Sequence, residues 1–168
     1  VPSQGALGKM AIDAALPFDV SSEPFEFVSE SIKRRQDVLM PPGIRGTRSR
    51  RSDRARKGVE RIGGSITLHP NVYELDLLLP RILGGATAAG VTKVADTLIE
   101  FQLMIDRIAK VYTYKACSIG RATFRGTRGD YMELVLDIEA EEEVVSAAGG
   151  YQAITPNVTT RAWVFTYV

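Results

Sequence analysis

The chain has 168 residues and a formal net charge of +1, with 45% hydrophobic and 24% charged residues, which is the composition of one ordinary globular domain. Its single cysteine, Cys117, excludes an intrachain disulfide, and its single histidine, His69, would have to serve any histidine-based catalytic triad or zinc site. The sequence has no apolar run long enough for a membrane span and no signal-peptide pattern at its start, so it predicts a soluble, intracellular protein in a reducing compartment.

The N-terminal third predicts an arm, a strand and a turn. Residues 1–23 are rich in Gly, Ala, Ser and Pro without a sustained period, which predicts an extended N-terminal arm ahead of a single domain at 24–168. Alternation of Phe25 and Phe27 with polar neighbours predicts a strand over residues 24–32. The prolines and glycine of "MPPGIRG", residues 40–46, predict a turn.

A basic segment follows at residues 45–61, "RGTRSRRSDRARKGVER". It holds eight Lys and Arg residues against Asp53 and Glu60, so it carries a formal charge of +6 and the rest of the chain −5. Because it has no aromatic or β-branched run, the pattern predicts a long, mobile loop between two strands. The second strand is expected in "RIGGSITLH", whose apolar residues alternate with small or polar ones: Ile62, Ile66 and Leu68.

The helix signal is "PNVYELDLLLPRILGG", which predicts a helix over residues 71–83. Asn71 and Glu74 have the spacing of a capping box. Pro80 is expected to end or kink the helix, and Gly84 and Gly85 to stop it before a flexible link. The predicted core face of the helix consists of Leu75, Leu78, Leu79 and Ile82.

The C-terminal half predicts strands. Residues 94–114 fit both a strand and a helix, and the crowding of Ile, Val, Thr, Tyr and Phe favours strand. Residues 117–143 predict a hairpin with its turn at 126–130 and one apolar face, and Cys117 is expected to be a small buried hydrophobe. Residues 161–168 alternate as in a strand that nothing closes, so the chain is expected to continue past Val168. The expected face of the hairpin consists of Met132, Leu134, Leu136 and Ile138.

Two stretches resemble the major tail tube proteins of long-tailed, siphovirus-type bacteriophages: "GIRGTRSRRSDRARKGVERIGGSITLHPNVYELDLLLPRILGG" and "DTLIEFQLMIDRIAKVYTYKACSIGRATFRG". The resemblance implies an α+β fold, an antiparallel β-sandwich or barrel with one flanking helix. It also implies a non-enzymatic role without cofactor or metal, in rings, usually six-fold, that stack into a hollow tube. Family members bridge subunits with an N-terminal arm and a long loop.

The same resemblance implies a location in the virion tail, assembly in the host cytoplasm, and DNA that passes through the lumen without specific binding. The implied partners are further copies of the chain and other tail proteins, namely the tape measure, terminator and baseplate proteins. A terminator, neck or baseplate protein with a related fold is the first alternative, and a nucleic-acid-binding module that uses the basic segment is the second. A hydrolase that uses the carboxylates of "GDYMELVLDIEAEEE" is a third.

The candidate functional residues are charged groups that would dock one subunit on another. Arginine suits such a contact because its planar fork pairs with carboxylates. A merely solvated loop and a nucleic-acid contact remain alternatives, although no aromatic residue interleaves with the arginines to stack on bases. His69 is expected to be a capping or surface residue. The docking residues of the basic segment are Arg45, Arg48, Arg50, Arg51, Arg54, Arg56 and Lys57, and their acidic candidates are Glu139, Glu141, Glu142 and Glu143.

Overall fold

Antiparallel strands and one helix make up the chain in the computed structural model, which describes residues 8–18, 22–40, 55–88 and 91–147. This confirms the α+β class with a β-sandwich and a single flanking helix. In these residues the elements are β1 Lys9–Asp13, β2 Glu23–Phe25, β3 Ser29–Glu30, β4 Lys33–Leu39, β5 Arg56–Leu68, α1 Val72–Leu83, β6 Gly84–Ala88, β7 Val91–Val94, β8 Phe101–Asp106, β9 Lys110–Arg125, β10 Glu133–Ala140 and β11 Glu142–Ala147.

The long strand β9 joins the two layers of the sandwich. Its first half pairs with β8 and β11, in a layer that continues through β1 to β2. Its second half pairs with β10, which pairs with β5, and β5 pairs with β3 and β4. Ala116 has a positive φ of 48° where the partners of β9 change, and its N–H donates to Gln102 Oε1 at 3.3 Å.

The core lies between these layers and follows the predicted alternation. Ile66 and Leu136 are neighbours in the β5–β10 register, and each is 1% exposed. Cys117 is fully buried in the same cluster, as predicted. Burial of so many large aliphatic side chains supplies the main stabilisation of the domain. Other members of this cluster are Met10, Ile12, Phe25, Ile32, Ile62, Leu68, Leu78, Phe101, Leu103, Ile105, Tyr114, Ile119, Leu134 and Ile138.

The predicted capping box of α1 is confirmed. Asn71 Oδ1 accepts from the Glu74 N–H at 2.9 Å, and Glu74 Oε2 accepts from the Asn71 N–H at 2.9 Å. Glu74 Oε1 also accepts from the Glu26 N–H at 3.2 Å, which ties the helix to the segment after β2. Burial raises the pKa of the Glu74 carboxyl, and the two backbone donors oppose that shift.

The apolar face of α1 differs in part from the prediction. Leu78 is buried, and Leu75 and Ile82 pack against the core as expected. Leu77, which the predicted face leaves out, packs there too, whereas Leu79 is half-buried and is not part of this described cluster.

Pro80 does not end the helix, which runs on to Leu83. The missing N–H of Pro80 would have bonded the carbonyl of Asp76, which is an exposed residue, so the helix loses one hydrogen bond on its solvent side. Gly84 then ends α1 with φ 81°, as predicted. The residues after it form the hairpin β6–β7, so the prediction of a flexible link is wrong there.

The expected N-terminal arm is partly wrong as well. Residues 9–13 form β1, which lies between β2 and β8 and buries Met10, Ala11 and Ile12. The strand expected at 24–32 is divided into β2 and β3. Residues 1–7 and 19–21 of the expected arm lie outside the described residues.

The ambiguous segment and the C-terminal hairpin match the favoured predictions in the described part. Residues 101–106 and 110–125 are strands, while residues 95–100 are neither strand nor helix. The β9–β10 hairpin has its turn near the predicted 126–130, with Leu134, Leu136 and Ile138 buried. The strand pattern at 161–168 lies outside the described residues.

Candidate inter-subunit surfaces

Strands β4 and β5 extend beyond the sandwich as a two-stranded ribbon, defined here as residues 33–39 and 56–61. All seven residues of β4 are exposed. Strand β10 ends opposite Ile62, so residues 56–61 pair only with β4 among the described strands. The predicted loop at 45–61 is therefore strand from Arg56 onward, and residues 41–54 lie outside the described residues.

The register of the ribbon assigns its side chains to two faces. Arg34 lies opposite Ile62, whose side chain enters the core, so the face with Arg34, Gln36 and Glu60 is called the inner face. The opposite, outer face carries Arg35, which lies directly across from Arg61. Other residues of the outer face are Lys33, Asp37, Leu39, Arg56 and Val59.

A β-bulge interrupts the ribbon near its middle. The register shifts between Gln36 and Val38, where Gly58 packs closely on Asp37. A Cβ added at Gly58 would lie 3.1 Å from the Asp37 carbonyl oxygen, so a small residue favours this bulge.

The two faces differ in their electrostatics. On the inner face Glu60 accepts from Arg34, with Nε to Oε1 at 2.6 Å, and also from Gln36 Nε2 at 3.4 Å. On the outer face Arg35 and Arg61 oppose each other with Lys33 beside them, and none of the three forms an ion pair within the described part of the chain. Like charges directly opposite in a sheet are destabilising. The outer face is therefore a cationic surface that an anionic partner would stabilise.

A polar groove of about 690 Å³ lies along this outer face. Its floor is made of small residues, among them Gly63 and Ser65, and Ser31 Oγ lies 3.1 Å from Ser65 Oγ. The three cations form one side of the groove, and Asp137 and Glu139 lie on the other.

A clamp fixes the base of the ribbon to the other layer. Arg107, in the β8–β9 turn, donates from Nε and Nη2 to the two oxygens of Glu30 at 2.7 and 2.8 Å, and from Nη2 to the Ile32 carbonyl at 2.6 Å. Its guanidinium also lies 4.4 Å from the Tyr112 ring centroid. Burial opposes the charged form, but the bonds to Glu30 outweigh it and raise the pKa of Arg107, so the clamp stays charged.

Backbone packing also fixes this base. A Cβ added at Gly64 would lie 2.6 Å from the Ser31 carbonyl oxygen and 2.7 Å from Ile32 Cα. Only glycine lets β5 pass so close to the residues that lead into β4.

The predicted docking residues fall in different places. Arg56 and Lys57 lie exposed on the ribbon, while Arg45, Arg48, Arg50, Arg51 and Arg54 lie outside the described residues. Glu139 lies beside the groove of its own chain, and Lys115 Nζ contacts Glu142 at 2.9 Å. Burial, aided by a hydrogen bond to Glu143, raises the pKa of Tyr114. Glu141 is exposed.

Sequence reasoning did not single out Lys33, Arg35 or Arg61. The available signal was a second basic run, "KRR" at 33–35. This run lies just before the predicted turn at 40–46, and the basic segment lies just after that turn. A hairpin closed by that turn places the two basic runs opposite each other.

A second exposed surface lies at residues 94–100, between β7 and β8, and is called here the acidic segment. Six of its seven residues are exposed, including Val94 at 79% and Leu98 at 45%. Asp96 and Glu100 are exposed as well and form no ion pair among the described residues. The segment combines carboxylates with uncovered apolar side chains, which is typical of an interaction surface.

The remaining candidates for chemistry have structural roles. His69 Nδ1 lies 3.2 Å from the Met132 carbonyl and its ring 5.6 Å from that of Tyr131, so it joins the start of α1 to the β9–β10 turn, while Asn71 is the cap.

Burial raises the pKa of the Cys117 thiol to about 12, which disfavours the nucleophilic thiolate. Among the described residues no three His, Cys, Asp or Glu side chains are placed to hold a metal, and no helix is both long and apolar enough to cross a membrane.

No family model and no curated protein matches the chain. Solved structures do match in fold. A chain in the six-fold symmetrised baseplate of the anti-feeding prophage aligns with a TM-score of 0.52 and 10% identity over 84% of this chain and 93% of that one. A chain in the extended sheath–tube complex of an extracellular contractile injection system, PVC, aligns with a TM-score of 0.50 and 11% identity over 88% of this chain and 99% of that one. At such identities the likeness shows the fold, which this chain shares with chains of contractile, phage-tail-like assemblies.

Proposed function

We propose that this chain is a non-enzymatic structural subunit of a phage tail or tail-like particle, and that its copies form six-fold rings that stack into a hollow tube. The observation that carries the proposal is the ribbon, in a fold shared with chains of sheath–tube and baseplate assemblies.

The ribbon supports assembly because it is poorly suited to an isolated molecule. A two-stranded ribbon has little stability of its own in water, and no described element covers either face of this one. This one also exposes large apolar side chains, with Leu39 60% and Val59 68% exposed. Contact with another subunit would bury these side chains and fix the strands, and association of many copies in a ring multiplies that gain.

The finer parts of the proposal follow the resemblance to tubes of long-tailed phages. The tube would belong to the virion tail, assemble in the host cytoplasm, and meet tape measure, terminator and baseplate proteins. Its lumen would pass DNA without binding it. The cations of the basic segment, including Arg56 and Lys57, would lie at contacts between subunits, where carboxylates neutralise them.

Shortening the ribbon tests this proposal. Residues 37–59 are replaced by Asn-Gly, so that the hairpin closes just beyond the pair Gln36–Glu60. We expect negative-stain microscopy to show stacked rings or tubes for the unaltered protein and only monomers for the variant. Thermal melting of the variant should stay cooperative, because the described residues among those deleted lie outside the core. Tubes of normal length from the shortened protein would contradict the role of the ribbon.

The baseplate match favours a second candidate, a terminator or baseplate subunit with the same fold. Closed rings that do not stack would indicate it. Nucleic-acid binding through the ribbon has less support, because the cations share the outer face with Leu39 and Val59 and the described ribbon has no aromatic residue. Monomers that retard DNA on a gel would indicate that function.

A further inference from the structure

We infer that the outer face of the ribbon docks on the acidic segment of a second copy of this chain, with Arg35 and Arg61 facing Asp96 and Glu100. This inference rests on the proposed function, since it requires self-assembly, and it identifies the partner of the ribbon. It differs from the pairing with the glutamates of the β10–β11 corner that the sequence suggested.

The first argument is complementarity of charge. Arg35 and Arg61 lie side by side with Lys33, and none of the three forms an ion pair among the described residues, although Asp137 and Glu139 lie across the groove. Asp96 and Glu100 are exposed and form no ion pair in that part of the chain either. Each set is unfavourable alone, and each supplies what the other lacks. Arginine pairs most strongly with a carboxylate when both hydrogen bonds of its fork are made, which two extended, exposed segments allow.

The second argument is that the apolar side chains match as well. Leu39 and Val59 accompany the cations on the outer face, and Val94 and Leu98 accompany the carboxylates on the acidic segment. A surface meant only for solvated ions would not expose four large aliphatic side chains. Contact between the two surfaces would bury these side chains and exclude water from the ion pairs, which strengthens them.

The third argument is that the contact joins different copies. Both surfaces are exposed in the same chain, so they are not docked on each other within it. In the strand order, β9 and β10 separate β8, which the acidic segment precedes, from β5 of the ribbon. Two different surfaces on one molecule give a head-to-tail contact, and head-to-tail contacts generate rings and stacks.

The alternative partners at the β10–β11 corner are less available. Glu142 contacts Lys115 and Glu143 bonds Tyr114 in their own chain. Glu139 lies on the groove of its own chain, across Gly63 from Lys33. Among the four predicted glutamates this leaves only Glu141 without a described role.

A charge-reversal experiment tests the pairing. The ribbon variant carries Arg35→Glu and Arg61→Glu, both changed because a single reversal would create an ion pair within the ribbon. The segment variant carries Asp96→Lys and Glu100→Lys. The matched control carries Arg34→Glu and Glu60→Arg, which exchanges the charges of the inner-face pair on the same ribbon.

Assembly is measured by sedimentation velocity and negative-stain microscopy. We expect the control to assemble like the unaltered protein, and each reversal variant to stay folded and monomeric at roughly ten times the concentration at which the unaltered protein assembles. We expect assembly to return when the two reversal variants are mixed in equal amounts, and also when all four changes are made in one chain.

Three results would overturn the inference. A ribbon variant that assembles normally rejects the outer face as the contact and leaves the proposed function standing. Rescue by Glu141→Lys and Glu142→Lys in place of the segment changes assigns the partner to the β10–β11 corner. An unaltered protein that stays monomeric at all concentrations overturns both the inference and the proposed function.

Discussion

The two halves of β5 show how one continuous strand serves two purposes. Residues 62–68 lie between β10 on one side and β3 and β4 on the other, and bury Ile62, Ile66 and Leu68. Residues 56–61 pair with β4 alone among the described strands, and Val59 is 68% exposed.

The difference lies in the surroundings rather than in the backbone. Both halves form antiparallel pairs, but only the first lies under a second layer. Its apolar side chains therefore stabilise the isolated fold, whereas those of the ribbon contribute only when another surface covers them. Substitutions in the first half should change folding, and those in the second half should change association.

The largest expected difference between the two halves of β5 appears when one apolar residue in each half is changed to Asp. Ile66→Asp places a charge in the core without a partner and should cost several kcal/mol, about 4 or more, so we expect no soluble folded protein. The matched change Val59→Asp should cost less than about 1 kcal/mol, because this side chain already meets water. The yield of soluble protein checks Ile66→Asp, and chemical denaturation measures the loss in Val59→Asp. A soluble Ile66→Asp protein with a loss as small as that of Val59→Asp would remove the distinction between the halves.

How well the sequence predicts these features depends on whether their causes are local. The capping box of α1 depends on Asn71 and Glu74, three residues apart, and the β9–β10 hairpin on one turn, so both were predictable. Strand β1 was not, because its partners β2 and β8 are set by distant pairing and its five residues form no period.

The candidate surfaces were harder to predict for a different reason. Residues 56–61 are a strand with little buried surface, so the alternation that reveals a strand is absent and their charges suggest a loop. The inner-face pair of Arg34 and Glu60 depends on the register in which β4 pairs with β5, with Arg34 opposite Ile62 and Gln36 opposite Glu60. The sequence therefore predicts a basic region, whose docking role stays a prediction, and the structure distinguishes the two faces of the part that forms a strand.

The next effect concerns Gly64, where the core half of β5 meets the base of the ribbon. Gly64→Ala would force a Cβ within 2.7 Å of backbone atoms that cannot move alone, at a cost of about 1 to 3 kcal/mol. The control is Gly120→Ala, whose Cβ would come no closer than 4.0 Å to the Asp137 carbonyl oxygen. Thermal melting should separate the two variants, and equal melting temperatures would mean that β5 shifts freely at this base.

A smaller effect is expected for the clamp that connects the ribbon base to the β8–β9 turn. Arg107→Met leaves Glu30, whose side chain is 15% exposed, without its cation, and should cost roughly 1 to 2 kcal/mol, between the values for buried and exposed pairs. The control Arg121→Met breaks an ion pair with Asp137 whose side chains are 75% and 39% exposed, and should cost less than about 0.5 kcal/mol. If urea denaturation gave equal losses in the free energy of unfolding for the two variants, the clamp would stabilise the fold no more than an exposed ion pair does.

The smallest effect is expected in the ribbon half of β5, and it should be a gain rather than a loss in the free energy of unfolding. Arg61→Glu places a carboxylate directly opposite Arg35, so a repulsive cross-strand pair becomes an attractive one. We expect the monomer to gain about 0.2 to 1 kcal/mol, which raises the melting temperature by at most a few degrees. Arg61→Gln removes the repulsion without adding an attraction and should give a smaller rise in the melting temperature.

High salt should erase both gains in stability, because exposed charges are screened. A melting temperature that falls in Arg61→Glu at low salt would mean that Arg61 is already paired in the isolated chain, and the outer face would then not be a bare cationic surface.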